Sequence, residues 1–501
     1  MAYKNLKDFV ARLIRENELV EISQSISPVL EMTEIAERVM KSHGPALLFT
    51  NPEGSDIPLL INAYGSEKRM AMALGVDHID EIAERIRKLT KTKPPGTLWE
   101  KLAMLMQLKE VAGFAPKKVN TGRCKEIILK GDQASLSDIP VQTCWPKDGG
   151  PYITLGQVYT RDPITGIRNV GLYRIQVFDS RTTGMHWQIH KVGASHFREF
   201  CKKNQRMPVA VALGGDPALL YGASAPLPPN IDEILFTGFL RQQSVEMVKC
   251  ETSDIEVPAD AEIVLEGWID PMEQRMEGPF GDHTGYYSLA DMYPVFHVEC
   301  ITRARDAIYP STIVGIPPME DAFLGQATER IFMPLIQMTF PEIVDMSLPV
   351  EGGFHSLAIV AINKSYPGQG FKVAHAFWGT GLLSLTKNII VVDGHVNVHN
   401  PGEVMWRVAN NFAAERDLQV VRGPVDVLDN SSEYPGYGSK MVIDATRKLP
   451  QEGFNREWPP DIDMTSSVKT KIDELWNQLG IPISLEESKR RQFKIWPEDK
   501  A

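Results

Sequence analysis

Leu6, Phe9, Val10, Leu13 and Ile14 recur at steps of three and four, so the chain opens on a predicted amphipathic helix. "GPALLFTN" and "IPLLINAYG" follow as short apolar runs closed by turn residues, the pattern of strands. "HIDEIAERIRKL" returns to the helical period, with Ile79, Ile82, Ile86 and Leu89 on its buried side. Two prolines in "KTKPPG" (91–96) then mark a linker. From about 122 to 313 the pattern changes. "YITLGQVYT", "NVGLYRIQVF", "MPVAVALG", "EIVLEGWI" and "PVFHVECITR" are apolar or alternating runs separated by turns. They predict antiparallel β-structure, a sandwich or barrel, with a helical insert at "GASHFREFCKK". After "GIPPMEDAF" an α/β pattern resumes, with "HSLAIVAIN" and "KNIIVVDG" as buried strands and Pro401 near the start of a helix. An extended arm, "LPQEGFNREWPPDID", leads to a last helix with Val468, Ile472, Leu475 and Leu479 on one stripe and Gly480 as its stop. Such a helix docks on its own chain or on a neighbouring subunit.

Composition narrows the class. The 501 residues, 43% hydrophobic and 23% charged, suit a soluble protein of two or three domains. No apolar run approaches the ~18 residues of a membrane span, and the N-terminus lacks a secretory pattern. A net charge of −11 argues against nucleic acid as the main partner, while a local basic cluster can still take a small acidic substrate. Cys124, Cys144, Cys201, Cys250 and Cys300 are dispersed, without a CxxC pair, which points to a reducing cytoplasm.

Candidate chemistry begins in "MEGPFGDHTGYY" (276–287). Its glycines and Pro279 favour a bent loop, so Glu277 and Asp282 can converge without helical spacing. Two carboxyls near each other, or near an arginine, have their pKa values pushed apart, which suits proton transfer. A solvated acidic turn would read the same way. In "RNVGLYRIQVF", Asn169, Gly171 and Tyr173 share one strand face, and Val170, Leu172 and Arg174 the other. An arginine beside Val and Leu needs an anion, and its planar fork matches a carboxylate, unless it sits exposed at an edge. "HWQIHKVGASH" carries His186, His190 and His196, and "LPPNIDEILFTG" carries Asp232 and Glu233 at a helix start. Asn169, one histidine and one acid would suit Mn²⁺ or Mg²⁺; each residue also has an ordinary structural role. The small residues at 222–225 fit either a cofactor's approach or a tight turn. There is no GxxxxGK[ST], no GxSxG and no GxGxxG after a strand.

"NVGLYR", "WQIHKVGASHF", "ALGGDPA", "VKCETSDIEVPADAEIVLEG", "EGPFGDHTGYY" and "GSKMVIDAT" together resemble the UbiD family of decarboxylases, over nearly the whole chain and most densely between 120 and 320. The resemblance implies an α/β (α+β) fold in three parts. These are an N-terminal α/β domain (1–115), a central split β-barrel resembling flavin reductases (116–318), and a C-terminal α/β domain with an oligomerisation helix (319–501). It implies prenylated FMN supplied by a separate flavin prenyltransferase, its phosphate held through Mn²⁺ or Mg²⁺, with K⁺ nearby. Family metal ligands fall on Asn169, His190 and Glu233, and catalytic residues on Arg174, Glu277 and Asp282. Cofactor contacts fall on Asn169, Val170, Leu172, Tyr173, Arg174, Ile189, His190, Ala223, Ser224, Ala225 and Glu233, with Lys387 as candidate for the phosphate. Fungal members carry glutamine where Ile189 stands and Ser-Ser-Met at Ala223-Ser224-Ala225. Asp282 sides with the ubiquinone-pathway type, which implies a hydroxybenzoate or naphthoate substrate touching Leu324, and a homodimer or homohexamer. An ordinary FMN oxidoreductase and a non-catalytic assembly factor are the alternatives; neither requires the Glu277–Arg174–Asp282 set.

Overall fold

The computed structural model describes residues 2–90, 112–189, 191–228, 231–490 and 493–496; the expected linker at 91–96 lies outside them. The chain divides into two compact units, Met1–Ile331 and Phe332–Ala501. In the first, helix Leu6–Arg15 is capped by the Asn5 side chain and buries Leu6, Phe9, Val10 and Leu13. Ile14 is 44% exposed, so the apolar stripe is narrower than the periodicity suggests. Helix Asp80–Thr90 likewise buries Ile82 and Ile86, while Leu89 on its last turn faces outward. Strands Leu19–Ile22, Ala46–Phe49 and Leu59–Ile61 form a sheet completed by Tyr309–Pro310, which returns from beyond the barrel.

The central β-region is a closed antiparallel barrel. Its strands run in the order Ile263–Glu277, Met207–Leu213, Tyr152–Arg161, Arg168–Val177, Thr182–Met185 and Asp291–Arg303, and the last pairs back onto the first. Closure removes unpaired strand edges. "MPVAVALG" reads as an unbroken apolar run because its strand is covered on both faces. Met207, Val209, Val211 and Leu213 enter one core, and Ala210 and Ala212 enter another with Val170 and Ala223. Helices Pro217–Ser224 and Glu233–Arg241 pack together over that second core. A Cβ on Gly222 would lie 2.0 Å from Thr237 Oγ1, so the bare position at 222 serves this helix pairing.

The second unit has a five-stranded sheet ordered Ile343–Ser347, Leu357–Ile362, Asn388–Asp393, Tyr437–Asp444 and Leu418–Pro424, parallel at its centre. Ala358, Val360 and Ile362 face one core, Ile359 and Ala361 the other, as a doubly covered sheet requires. Pro401 opens helix Pro401–Asn411. The last long helix is Ser466–Leu475, shorter than its stripe, with a 3₁₀ turn at Trp476–Gln478 before Gly480 at positive φ. Val468, Ile472 and Leu479 are exposed on it. Among the described residues, no helix is long and apolar enough to cross a membrane.

Candidate active site

The strand Ile263–Glu277 places Glu277 at its end, where the chain bends at Gly278 with φ +100°. Phe280–Gly281 then pairs with Tyr287–Ser288, and Asp282 stands at the start of the tight loop between them. Both acids meet Arg174, from the barrel strand Arg168–Val177. Arg174 Nε donates to Glu277 Oε1 at 3.0 Å and Nη2 to Oε2 at 3.2 Å. Nη1 donates to Asp282 Oδ2, and Nη2 also reaches Ser288 Oγ at 3.0 Å. The Phe280 ring lies 4.7 Å from the guanidinium. The Glu277 side chain is 0% exposed, and those of Arg174 and Asp282 are each 9% exposed. The bent loop is therefore no solvated turn, and the arginine is no edge residue.

Each acid also has a histidine. His186 Nδ1 lies 2.9 Å from Glu277 Oε2, and His283 Nδ1 lies 2.8 Å from Asp282 Oδ1. Burial opposes the charge on Glu277, but the His186 hydrogen bond and Arg174 prevail and hold it below the usual carboxylate range. Asp282 is held further down: burial is outweighed by its hydrogen bond to His283 and by the charges of His283 and Arg174. Asp282, expected as the proton donor, is thus an anion in this arrangement. A carboxylate only accepts, so His186 carries its proton on Nδ1. Burial lowers the pKa of His186, which keeps it neutral. Its ring packs 4.3 Å from that of Tyr293, and its buried Nε2 has no partner among the described residues.

Trp145 shapes the loop from behind. A Cβ on Gly281 would lie 2.2 Å from Trp145 Cδ1, and one on Gly315 2.7 Å from Cζ2. Asp148 joins the layers by accepting from Gly281 N at 2.8 Å and Trp145 N at 2.9 Å. The indole Nε1 donates to Val314 O at 2.9 Å.

A second constellation lies at the start of the arginine-bearing strand. Glu233, first residue of its helix, accepts from Val170 N at 3.2 Å, beside Asn169. Burial pushes the Glu233 carboxyl up to about 7, and Asn169 Nδ2 is buried without a partner among the described residues. A carboxylate this short of positive charge, beside an amide whose Oδ1 is an oxygen donor, fits a divalent cation with oxygen ligands; the unpartnered Nδ2 is a donor and would not itself bind the ion. His190 lies outside the described residues, and Ile189 beside it is 75% exposed. Tyr173 is buried on the same strand, Leu172 packs against the second core with Ala223, and Ala225 caps the helix on which Ser224 Oγ donates to Tyr221 O at 2.9 Å. His196 bonds Thr160 Oγ1 at 2.9 Å inside the protein, a core histidine and not a ligand. Leu324 lies half-buried on helix Asp321–Thr339. Lys387 belongs to the second unit, where its ammonium meets Asp429 Oδ1 at 2.8 Å. Among the described residues no three His, Cys, Asp or Glu side chains are grouped to hold a metal.

The sequence left His186 either a metal ligand or an ordinary structural histidine, and assigned no role to His283, Ser288 or Asp148. His283 stands inside the quoted loop, next to Asp282. The partner of His186 is 91 residues away, and no local pattern marks it.

Comparison with known proteins agrees with this geometry. Three family models cover the chain: the 3-octaprenyl-4-hydroxybenzoate carboxy-lyase N-terminal domain at 10–88, the Rift-related domain at 117–317 and the C-terminal domain at 322–445. An uncharacterized protein of Archaeoglobus fulgidus is 50% identical over 481 residues, covering 96% of this chain and 99% of that one. Vanillic acid decarboxylase of Sedimentibacter hydroxybenzoicus, in its closed form, matches with TM-score 0.84 and 27% identity over 96% of this chain and 100% of its own. An evolved dimeric form of the UbiD-class enzyme HmfF from Pelotomaculum thermopropionicum, in complex with prFMN, matches with TM-score 0.76 and 27% identity, over 93% and 100%. With family models spanning all three regions, and a buried acid–arginine–acid set carried by the barrel strands and the loop that follows them, the chain belongs to the UbiD family and is a carboxy-lyase.

Proposed function

We propose that this chain removes CO₂, reversibly, from an aromatic or α,β-unsaturated acid of the hydroxybenzoate or naphthoate type, using prenylated FMN with Mn²⁺ (or Mg²⁺) and K⁺. The observation that carries the reading is the sealed Glu277–Arg174–Asp282 set, a carboxylate-binding fork already flanked by two acids. HmfF, with prFMN in its solved complex, supports the cofactor. Asn169, Glu233 and His190 would hold the metal, and Val170, Leu172, Tyr173, Ile189, Ala223, Ser224, Ala225 and Lys387 would line the cofactor. When bound, that cofactor supplies the electron sink that side chains lack.

The protein's own part is positioning and proton transfer. Arg174 takes the substrate carboxylate and turns part of its fork away from Asp282. Losing that cation raises the proton affinity of Asp282, which protonates and then delivers the proton to the carbon that has lost CO₂. Glu277, fixed by His186, stays ionised and keeps Arg174 aligned. Leu324 touches the ring of the substrate. A flavin prenyltransferase supplies the cofactor, and the terminal helix joins copies into a homodimer or homohexamer in the cytoplasm.

Co-expression with a flavin prenyltransferase tests this, followed by mass spectrometry of the bound flavin and incubation with aromatic and acrylic acids in D₂O. Prenylated FMN and exchange at a ring position are the expected results. Unmodified FMN with NAD(P)H turnover would refute the decarboxylase, and exchange confined to acrylic products would refute the aromatic substrate.

A further inference from the structure

The Arg174 fork is spent on Glu277, Asp282 and Ser288. In the proposed turnover part of that fork turns toward the substrate carboxylate. Were Arg174 the main anchor of the loop, Asp282 would drift at the moment it has to protonate a carbon. The four residues between the two acids are Gly278, Pro279, Phe280 and Gly281, and their backbone is tied by other groups.

Gln176 stands two residues beyond Arg174 on the strand Arg168–Val177, so both side chains leave the same face. It is buried, and its Oε1 accepts from Gly278 N at 2.8 Å and from the Tyr152 hydroxyl at 3.2 Å. Two donors converging on one atom fix which end of the amide is the oxygen. Tyr152 is the cross-strand partner of Gln176 and is fully buried. Its hydroxyl also lies 3.3 Å from Pro279 O, a carbonyl that accepts from Gly149 N at 2.8 Å. A Cβ on Gly149 would lie 2.2 Å from Gly278 O and 2.8 Å from Gln176 Nε2, so the bare position lets the amide and the bend close on each other. The Tyr152 ring packs 4.5 Å from that of Phe280, the ring that lies against the guanidinium. At the far end Asp148 holds Gly281 N. The hydrogen bonds at Gly278, Pro279 and Gly281 thus run to groups other than Arg174.

We propose that Gln176 is a positioning residue for the decarboxylation: with Tyr152 it anchors the Gly278–Pro279 bend, so that Asp282 keeps its place while Arg174 exchanges it for the substrate carboxylate. This rests on the decarboxylase reading above. One strand then carries two separate duties. Arg174 takes the carboxylate, and Gln176 holds the segment bearing the acid that protonates the product. Loss of Gln176 falls on proton delivery and not on binding, because the fork that takes the carboxylate is left intact.

The test uses the full chain with Gln176→Leu, Gln176→Glu and Tyr152→Phe. Amide hydrogen exchange of the cofactor-free protein, read by mass spectrometry on peptides covering 278–288, should run roughly tenfold or more faster in Q176L, with strand Met207–Leu213 held within about twofold. Q176E keeps an accepting oxygen and should hold the loop's exchange within about threefold of wild type. In the cofactor-loaded enzyme, kcat of Q176L should fall roughly tenfold or more with KM held within about twofold. Y152F keeps the ring and loses only the hydroxyl, so its loop exchange should rise and its kcat fall by about threefold. Loop exchange unmoved in Q176L overturns the proposal, as does equal exchange in Q176E and Q176L, or a rise in KM that accounts for the whole loss of kcat/KM. Where Q176L exchanges fast throughout the chain and so fails to fold, Y152F decides, and a wild-type loop exchange rate in Y152F overturns the proposal. If the wild type decarboxylates no acid, the functional reading fails, whereas the exchange rates still decide whether Gln176 anchors the bend.

Discussion

Replacing Arg174 with Met removes the one cation between two buried carboxylates while keeping similar bulk. Neither acid can then stay ionised cheaply, because Glu277 is 0% exposed and Asp282 9% by side chain. The folded protein can escape by holding a carboxyl neutral. At pH 7 that costs about 1.36 kcal/mol for each of the roughly three pH units separating pH 7 from an ordinary carboxylate pKa, or about 4 kcal/mol. This agrees with the ~3–5 kcal/mol typical of breaking a buried ion pair. The sign of the pH dependence separates this origin from lost packing. In the variant, burial without Arg174 raises the folded pKa above the unfolded one, so the deficit shrinks as pH falls, by about 2.7 kcal/mol per carboxyl from pH 7 to 5. In the wild type both folded values are depressed, so their stabilisation persists above the unfolded pKa near about 4 and is lost only below it. Urea unfolding of both proteins at pH 7 and pH 5, followed by tryptophan fluorescence, reads the difference. A deficit below about 1 kcal/mol at pH 7, or one equal at both pH values, would show that Arg174 does not neutralise these acids.

Three further outcomes are expected. Gly281→Ala should destabilise by about 1–3 kcal/mol, because its Cβ meets the Trp145 ring, and Trp145→Phe should recover part of the loss in thermal unfolding. Glu233→Gln should lower Mn²⁺ and flavin retention in metal analysis. In the wild type, whose Glu233 is pushed up to about 7, metal affinity should weaken by about tenfold per pH unit below 7, as protons compete for the carboxylate. Ile472→Glu, on the exposed face of the last helix, should dissociate the proposed oligomer in light scattering; a wild-type monomer at micromolar concentration would rule out that assembly.

How much the sequence revealed depended on the range of each signal. The barrel strands announced themselves because a strand covered on both faces must be apolar at every position, as Val209 to Leu213 show. The bend that brings Glu277 and Asp282 together was legible from glycine and proline, whose backbone limits are local. Arg174 could be flagged as needing an anion, since an apolar strand face tolerates no unpaired guanidinium. Its two partners are brought to it by the fold of the barrel from more than a hundred residues away, which no window contains. The backing histidine of Glu277 escaped for the same reason. Gly222 was read as room for a cofactor or a turn, but the residue it must clear is Thr237, on another helix. Ile14 and Leu89 kept the helical period while facing outward, because periodicity fixes a direction and not the width of what covers it.

The pairing of Tyr309–Pro310 with Leu59–Ile61 has a consequence for how the chain is made on the ribosome. The N-terminal sheet lacks its edge partner until some 250 further residues, including the whole barrel, have been synthesised. Glu320, which accepts from Tyr64 N at 2.7 Å, and Lys41, which binds carbonyls at 316 and 318, are long-range ties of the same kind. A nascent chain that has emerged only through its first hundred residues carries an apolar edge at Leu59–Ile61 open to a neighbouring nascent chain. Growth of the barrel and closure of that sheet are therefore one maturation event, in which the last barrel strand delivers the segment that shields the first layer.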